Sequence, residues 1–310
     1  MSSASFTTLA ITGGTGFVGK HLIATARAQG FTLRALTRRP QADLDGVHWV
    51  AGTLEDKDSL ERLMQGAQAV LHIAGTINAR TRAEFDRGNV TGTQNMLAAA
   101  ERQGIARFIH LSSLSVREPQ LSDYGASKAE AEQLVRASNR TWTILRPPAV
   151  YGPADHETLQ VFRMVARGLA ILPGKGRFSL IHVHDLAAAL LALLDAPHTK
   201  GQCYEISDGT PQGLSHGDMA RLIAQALGTK PLMLPLPAQA LKLGAALDTL
   251  WAKMGGKLPK LSFDRANYLA HPDWTADPQA LMAATAWRPR YDPASGIAQT
   301  AHWYRSQGWL

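Results

Sequence analysis

The turn Gly13-Gly14-Thr15-Gly16-Phe17-Val18-Gly19 follows directly on the apolar run Leu9-Ala10-Ile11-Thr12 and opens a helical stretch. A strand, a glycine-rich turn and a helix start, in that order, leave few folds open. Gly13 permits the tight turn, Gly16 lets a ligand approach the backbone, and Gly19 lets helix and strand pack closely. The free N–H groups and positive dipole end of the helix, with Thr15, Phe17 and Val18 beside them, suit a pyrophosphate. A glycine turn without a ligand would look the same in isolation, so the surrounding pattern decides its meaning.

That pattern alternates. Short apolar runs at Leu9–Thr12, Leu33–Leu36, Val47–Val50, Ala69–Ile73, Arg107–Leu111 and Thr141–Leu145 read as strands. Helical stretches at Gly16–Gln29, Asp56–Met64, Phe85–Gln103 and Tyr124–Ala137 separate them. Strands alternating with helices form crossover units, and hence an α/β fold: a doubly wound parallel sheet of Rossmann type. Such a sheet binds its ligand at the carboxyl ends of its strands. Residues 1–150 are expected to bind a dinucleotide and residues 151–310 to form a smaller substrate-binding cap, with the segment near 179–206 returning to the sheet. In the second half the spacing predicts helices at Leu159–Gly168, Asp185–Asp195, Ser215–Gly228 and Ala238–Met254, and strands at Ser179–Val183 and Cys203–Ile206.

After the second strand stands Thr37-Arg38-Arg39-Pro40, with no acid before Asp43. An acid there would bond the ribose hydroxyls of NAD, whereas an arginine suits a 2′-phosphate. Arg38 therefore favours NADP(H) over NAD(H), the alternative being a solvated basic loop.

Tyr124-Gly125-Ala126-Ser127-Lys128 carries the chemistry. Tyr and Lys at i and i+4 share a helical face. A free phenol titrates near 10, and an adjacent ammonium is expected to favour the phenolate and lower that value. The pair gains meaning from the strand before it, which ends in Leu111-Ser112-Ser113 and offers a hydroxyl at the sheet's binding edge.

Taken together, Thr12–Gly19, Leu71–Gly75, Asn89–Asn95, Phe108–Ser113, Tyr124–Lys128, Leu145–Pro153, His182–Ala189 and a closing pattern over Ala286–Gly308 resemble the extended short-chain dehydrogenase/reductases, the NAD-dependent epimerase/dehydratase family. The resemblance implies that Tyr124 is the general acid/base, that Lys128 holds the nicotinamide ribose, and that Ser113 polarises a substrate carbonyl. It further implies that Ala74 and Gly75 line the cofactor by backbone approach. Pro147 and Val150 would contact the nicotinamide, and Asn89 would fix local backbone.

Three departures narrow it. Gly52-Thr53-Leu54-Glu55-Asp56 stands where the family carries an Asp near the adenine, leaving Leu54 at that place. Ala149 replaces the Asn that holds a sugar diphosphate in nucleotide-sugar enzymes. Phe178, one residue beyond Arg177, occupies the place of the usual phosphate-gripping Arg. Without those anion ligands a diphosphate is costly to desolvate. The 3β-hydroxysteroid dehydrogenase and dihydroflavonol reductase branch, with apolar ketones and alcohols as substrates, fits better. Leu159, Phe162, Leu169, Ile171 and Leu172 would then line a cap or simply pack in its core.

Among 310 residues, 32 Lys and Arg against 25 Asp and Glu leave +7, spread along the chain rather than gathered in a nucleic-acid stripe. His182 and His184, alternating on a strand, would face opposite ways and share no metal. His110 is expected to be buried and hydrogen-bonded. One cysteine, Cys203, excludes an internal disulfide. The N-terminus shows no secretory pattern, and Pro235, Pro237, Lys242 and Asp248 interrupt the apolar stretch near 232–251, so no membrane span is expected. The stripe Leu243, Leu247, Leu250, Trp251 and Met254 reads as core packing, with a lid or membrane-surface helix as the alternative.

The expectation is a cytoplasmic NADP(H)-dependent oxidoreductase acting on a small or medium apolar ketone or secondary alcohol, homodimeric through helices 85–103 and 124–137. Its rivals are a sugar epimerase or dehydratase that recycles its cofactor, and a non-catalytic NAD(P)-binding assembly or sensor protein.

Overall fold

The computed structural model describes residues 6–237, 239, 243, 244, 248 and 263–310. The first six strands are β1 (Thr8–Thr12), β2 (Thr32–Thr37), β3 (Val47–Ala51), β4 (Ala69–His72), β5 (Arg107–Leu111) and β6 (Thr141–Arg146). The chain then makes β7 (Ala149–Tyr151), β8 (Leu169–Pro173), β9 (Arg177–Phe178) and β10 (Leu180–His182) before β11 (Gln202–Glu205). β11 closes a parallel seven-stranded sheet in the order β11-β6-β5-β4-β1-β2-β3. The order reverses where β1 pairs β2 on one side and β4 on the other, with Thr12 opposite His72. Ligands bind at such a switch point.

Of the segment 179–206, Gln202–Glu205 therefore lies in the large sheet. Leu180–His182 does not: it pairs with β7 in a separate two-stranded sheet. β9 joins β12 (Leu214–Ser215) and β14 (Asp273–Trp274), and β8 joins β13 (Leu232–Leu236).

Helices cover both faces because each strand of the parallel sheet is apolar on both sides. On one face Leu22, Ile23 and Ala26 of α1 (Phe17–Ala28) meet Leu186, Leu190 and Leu191 of the helix Val183–Ala192. On the other, Leu60, Leu63 and Met64 of α2 (Lys57–Met64) meet Met96 and Ala99 of the helix Gly92–Arg102 and Val135 of the helix Asp123–Ala137. Each buried Leu, Ile, Val or Met among them contributes about 1.5–3 kcal/mol by leaving water. In chain order the remaining helices are α3 (Arg82–Asp86), α4 (Gly92–Arg102), α5 (Asp123–Ala137), α6 (Leu159–Ala166), α7 (Val183–Ala192), α8 (His216–Leu227), α9 (Phe263–Ala270), α10 (Gln279–Ala284) and α11 (Pro293–Ser306). A second core joins α6, α8 and α11 through Phe162, Ile223, Ile297 and Tyr304.

The single helix expected over Phe85–Gln103 is instead α3, a π-helical turn over Arg87–Thr91, and α4. Leu159 and Phe162 belong to the second core, whereas Ile171 faces outward. The helix expected at Ala238–Met254 lies outside the described residues apart from isolated positions. One of these, Leu243, is 64% exposed where core packing was expected. Among the described residues no helix is long and apolar enough to cross a membrane.

Candidate active site

The glycine turn is built as its residues require. Gly13 sits at φ +76°, and a Cβ there would meet the Ala74 amide nitrogen at 2.8 Å. A Cβ on Gly19 would stand 2.0 Å from the Gly13 carbonyl oxygen, so α1 can approach β1 only with glycine there. Gly16 caps α1 without a side chain, and the first turn of that helix holds no acid. The amides of Phe17, Val18 and Gly19 are thus unclaimed within the helix and face an edge with no competing negative charge. Thr15 and Gly16 are exposed, while Val18 packs on the core. This cradle fits the pyrophosphate of a dinucleotide.

The exit of β4 is held against it by a chain of hydrogen bonds. The Ala74 amide donates to Thr12 Oγ1 (3.2 Å), which lies 2.7 Å from His72 Nδ1. His72 Nε2 is 3.0 Å from Thr93 Oγ1, which donates to the Asn89 carbonyl (2.6 Å). Since Thr93 spends its proton on that carbonyl, His72 must donate through Nε2 and accept at Nδ1. One neutral tautomer satisfies the whole chain. Burial pushes His72 down to about 3, in keeping with that state.

Asn89, in the π-helical turn, accepts from the Thr76 amide (2.8 Å) and donates to the Thr76 carbonyl (3.0 Å) and Ser127 Oγ (2.9 Å). Its side chain thereby ties the Ala74–Gly75 segment to α5. A Cβ on Gly75 would lie 3.8 Å from Lys128 Nζ, which brings that ammonium beside the cofactor edge.

Ser113, Tyr124 and Lys128 converge at the carboxyl end of β5. Ser122 caps α5 by accepting from the Gly125 amide (3.0 Å), fixing Tyr124 in the first turn. Tyr124 lies close enough to Ser113 for that hydroxyl to favour its phenolate, and Ser113 Oγ accepts from the Ser115 amide (3.2 Å) and hydroxyl (2.9 Å). Lys128 Nζ donates to the Leu111 carbonyl at 2.7 Å. Burial brings Lys128 down to about 8, with the carboxylate of Glu132 pulling it back up.

The expected lowering of the Tyr124 phenol is not found. Burial pushes it up, and only the Ser113 hydrogen bond opposes that shift. In this pocket the cost of desolvating a phenolate exceeds what the neighbours return.

Glu132, one turn beyond Lys128, was not legible as part of the site. It is buried and takes two hydrogen bonds from Arg146, at 2.8 and 2.6 Å, with Arg136 at 3.3 Å. Tyr268 of α9, stacked on Trp274 at 4.3 Å, lies close enough to Tyr124 for the two phenolates to repel. Phe85 comes within 6.1 Å of the Tyr124 ring. These aromatic groups, rather than Leu159 or Phe162, flank the phenol.

Other expected positions fall as follows. Arg38 and Arg39 are exposed beyond the end of β2. Leu54 packs over Gly92, and its carbonyl accepts from Asn95 (2.8 Å). Pro147 is buried, its carbonyl held by the Leu114 amide (2.8 Å), and Val150 is half-buried in β7. Arg177 is occupied by the Gln212 and Gly213 carbonyls (2.7 and 2.8 Å), and the Phe178 ring lies 4.9 Å from that of His216.

Two histidine expectations need correction. His182 ends a strand and caps α7, so the chain turns between it and His184, and their rings lie 5.1 Å apart instead of facing opposite ways. Among the described residues no cluster of His, Cys, Asp or Glu is arranged to hold a metal. His110 is buried, but neither ring nitrogen has a hydrogen-bond partner among the described residues: its ring lies 5.3 Å from that of His72, whose own nitrogens are taken up by Thr12 and Thr93.

The family model described as the NAD dependent epimerase/dehydratase family matches residues 9–207. The chain belongs to that family, and it is an NAD(P)-dependent dehydrogenase/reductase of the extended short-chain type. It is 38% identical to the ceramide reductase of Caulobacter vibrioides, over 97% of this chain and 96% of the relative. It is 31% identical to a 4-hydroxy-2-methyl-3-oxo-4-farnesyl-3,4-dihydroquinoline-1-oxide ketoreductase of Stigmatella aurantiaca, over 78% and 80% of the two chains. The fold is shared with the Bordetella bronchiseptica enzyme WbmG solved with NAD, at TM-score 0.78, 20% identity and coverage of 99% and 96%.

Proposed function

We propose that this protein is an NADP(H)-dependent carbonyl reductase whose substrate is an apolar ketone borne on a long hydrocarbon chain. The observation that carries the reading is the gathering of Ser113, the Tyr124 phenol and the buried Lys128 ammonium at the carboxyl end of β5. When bound, NADPH supplies the hydride. Gly13, Thr15, Gly16, Phe17, Val18 and Gly19 would hold its pyrophosphate, and Arg38 its 2′-phosphate. Leu54 would lie against the adenine; Ala74, Gly75, Pro147 and Val150 would line the remaining length.

Ser113 steadies the carbonyl oxygen as negative charge grows on it. Tyr124 gives that oxygen its proton. A phenol pushed up by burial is protonated at neutral pH, which is the state a reduction needs. Lys128 holds the nicotinamide ribose hydroxyls and stabilises the phenolate left behind. Residues 1–150 serve as the dinucleotide half and 151–310 mainly as the cap.

The substrate class rests on the two relatives, whose names specify a ceramide and a farnesyl-bearing 3-oxo compound. The alternative of a nucleotide-sugar epimerase is disfavoured by Ala149, by Phe178 and by an Arg177 already committed to backbone carbonyls. A non-catalytic role is disfavoured by the intact Ser113, Tyr124 and Lys128. The free thiol of Cys203 and the need for NADPH fit a cytoplasmic enzyme, and α4 with α5 offers faces for a homodimer.

The test is a panel of long-chain 3-oxo lipids and short ketones with NADPH and with NADH. Oxidation of NADPH one-for-one with alcohol formed is expected. Product without net change in cofactor would favour the epimerase reading.

A further inference from the structure

β8 and β13 make a parallel ribbon against the second core, and its two faces differ. The register sets Leu169 opposite Leu232, Ile171 opposite Leu234, and Pro173 opposite Leu236. Alternate residues of a strand share a face, so these six form one side of the ribbon. Ala170, Leu172 and Met233 form the other and pack on the second core. The outward side is apolar at every position. Leu232 is 63% exposed, Leu234 41% and Ile171 39%. A lone exposed leucine is ordinary; an unbroken apolar face is not.

The charged residues nearest this face along the chain are all basic. Exposed Arg167 and Lys230 each stand two residues before their strands, at the same end of the parallel ribbon. Exposed Lys175 stands two residues past β8, at the opposite end. No Asp or Glu occurs between Glu157 and Asp185 or between Asp218 and Asp248, the two stretches that contain the strands.

We propose that the outward face of the β8–β13 ribbon docks on the surface of an anionic lipid bilayer. The leucines and Ile171 enter the headgroup–acyl boundary, and Arg167, Lys175 and Lys230 meet lipid phosphates. A second copy of the chain fits less well. Apposing two such faces brings Arg167, Lys175 and Lys230 of one copy toward the same cations of the other. The association is peripheral, by a ribbon that only touches the surface. The inference stands on this face alone and holds whichever carbonyl the enzyme reduces.

The experiment is co-sedimentation of the full chain with vesicles of phosphatidylcholine alone or of phosphatidylcholine with phosphatidylglycerol. Binding to the anionic vesicles is expected, with weaker binding to the neutral ones and loss at high salt. Two double variants, Leu232→Gln with Leu234→Gln and Lys175→Glu with Lys230→Glu, should each lower partitioning by at least about tenfold. NADPH binding and the melting temperature should stay unchanged in both. The proposal is overturned if the protein ignores both vesicle types or if the variants partition as the wild type does. It is equally overturned if sedimentation velocity shows a dimer that the leucine variant dissolves while vesicles capture nothing.

Discussion

Replacing Glu132 by Gln should shift the pH dependence of the enzyme, because Glu132 supports the charge on Lys128. That ammonium, buried beside the Leu111 carbonyl, is already down to about 8. Side chains at i and i+4 on a helix start about 5–6 Å apart at Cβ, and two opposite unit charges about 6 Å apart attract by roughly 3 kcal/mol at an effective dielectric of about 20. Losing that attraction is worth roughly two pKa units. At about pH 7.5 the ammonium fraction should fall from about three quarters to a few per cent.

The assay is NADPH affinity and kcat/KM across the pH range. The alkaline limb should move from near 8 toward acid by about one to two units. Gln keeps one acceptor for Arg146, so the loss of stability should be roughly 1–3 kcal/mol. An alkaline limb that stays in place, in a variant that melts earlier, would mean that Glu132 serves structure alone and refute the electrostatic argument.

Three further outcomes follow from the geometry. Gly19→Ala places a methyl 2.0 Å from the Gly13 carbonyl, so NADPH binding should weaken at least about tenfold and stability fall by about 1–3 kcal/mol, by fluorescence titration and thermal melt. Arg38→Ala should raise the Kd for NADPH about tenfold and leave that for NADH unchanged; equal effects on both would remove Arg38 from the 2′-phosphate site. Acid should destabilise the fold early. Burial depresses His72 and His182 to about 3 and His110 well below its ordinary value, so the unfolded chain takes up protons that the folded one refuses. Stability is full above about pH 6.5 and falls as pH drops toward about 3, by at most about 4 kcal/mol per unit from these three groups. Urea melts at stepped pH would show it, and a flat profile between about pH 6.5 and 5 would count against neutral burial.

The sheet was legible because its strands are short apolar runs punctuated by glycine turns, and Leu9–Thr12 or Arg107–Leu111 admit no helical period. Tyr124 and Lys128 were legible because helical spacing puts them on one face and a strand ending in Ser112-Ser113 precedes them. Glu132 was not: its role depends on Arg146, which only the β5–β6 pairing and the return of α5 bring alongside. Tyr268 and Trp274 come from the far end of the chain and have no local signature near Tyr124. The π-helical turn had a faint signal in Gly88, where a Cβ would stand 2.0 Å from Thr76 Oγ1. The cap was hardest, since apolar residues there serve core, pocket wall or open surface alike. Phe162 is fully buried and Ile171 39% exposed, and no periodicity separates them.

The central claim concerns a single proton, and Tyr124→Phe tests it most directly. With NADPH and a long-chain ketone, kcat should fall at least about a thousandfold while the NADPH Kd stays within about twofold. Turnover at the wild-type rate would contradict the account, because the proton would then have to come from a group other than the Tyr124 hydroxyl.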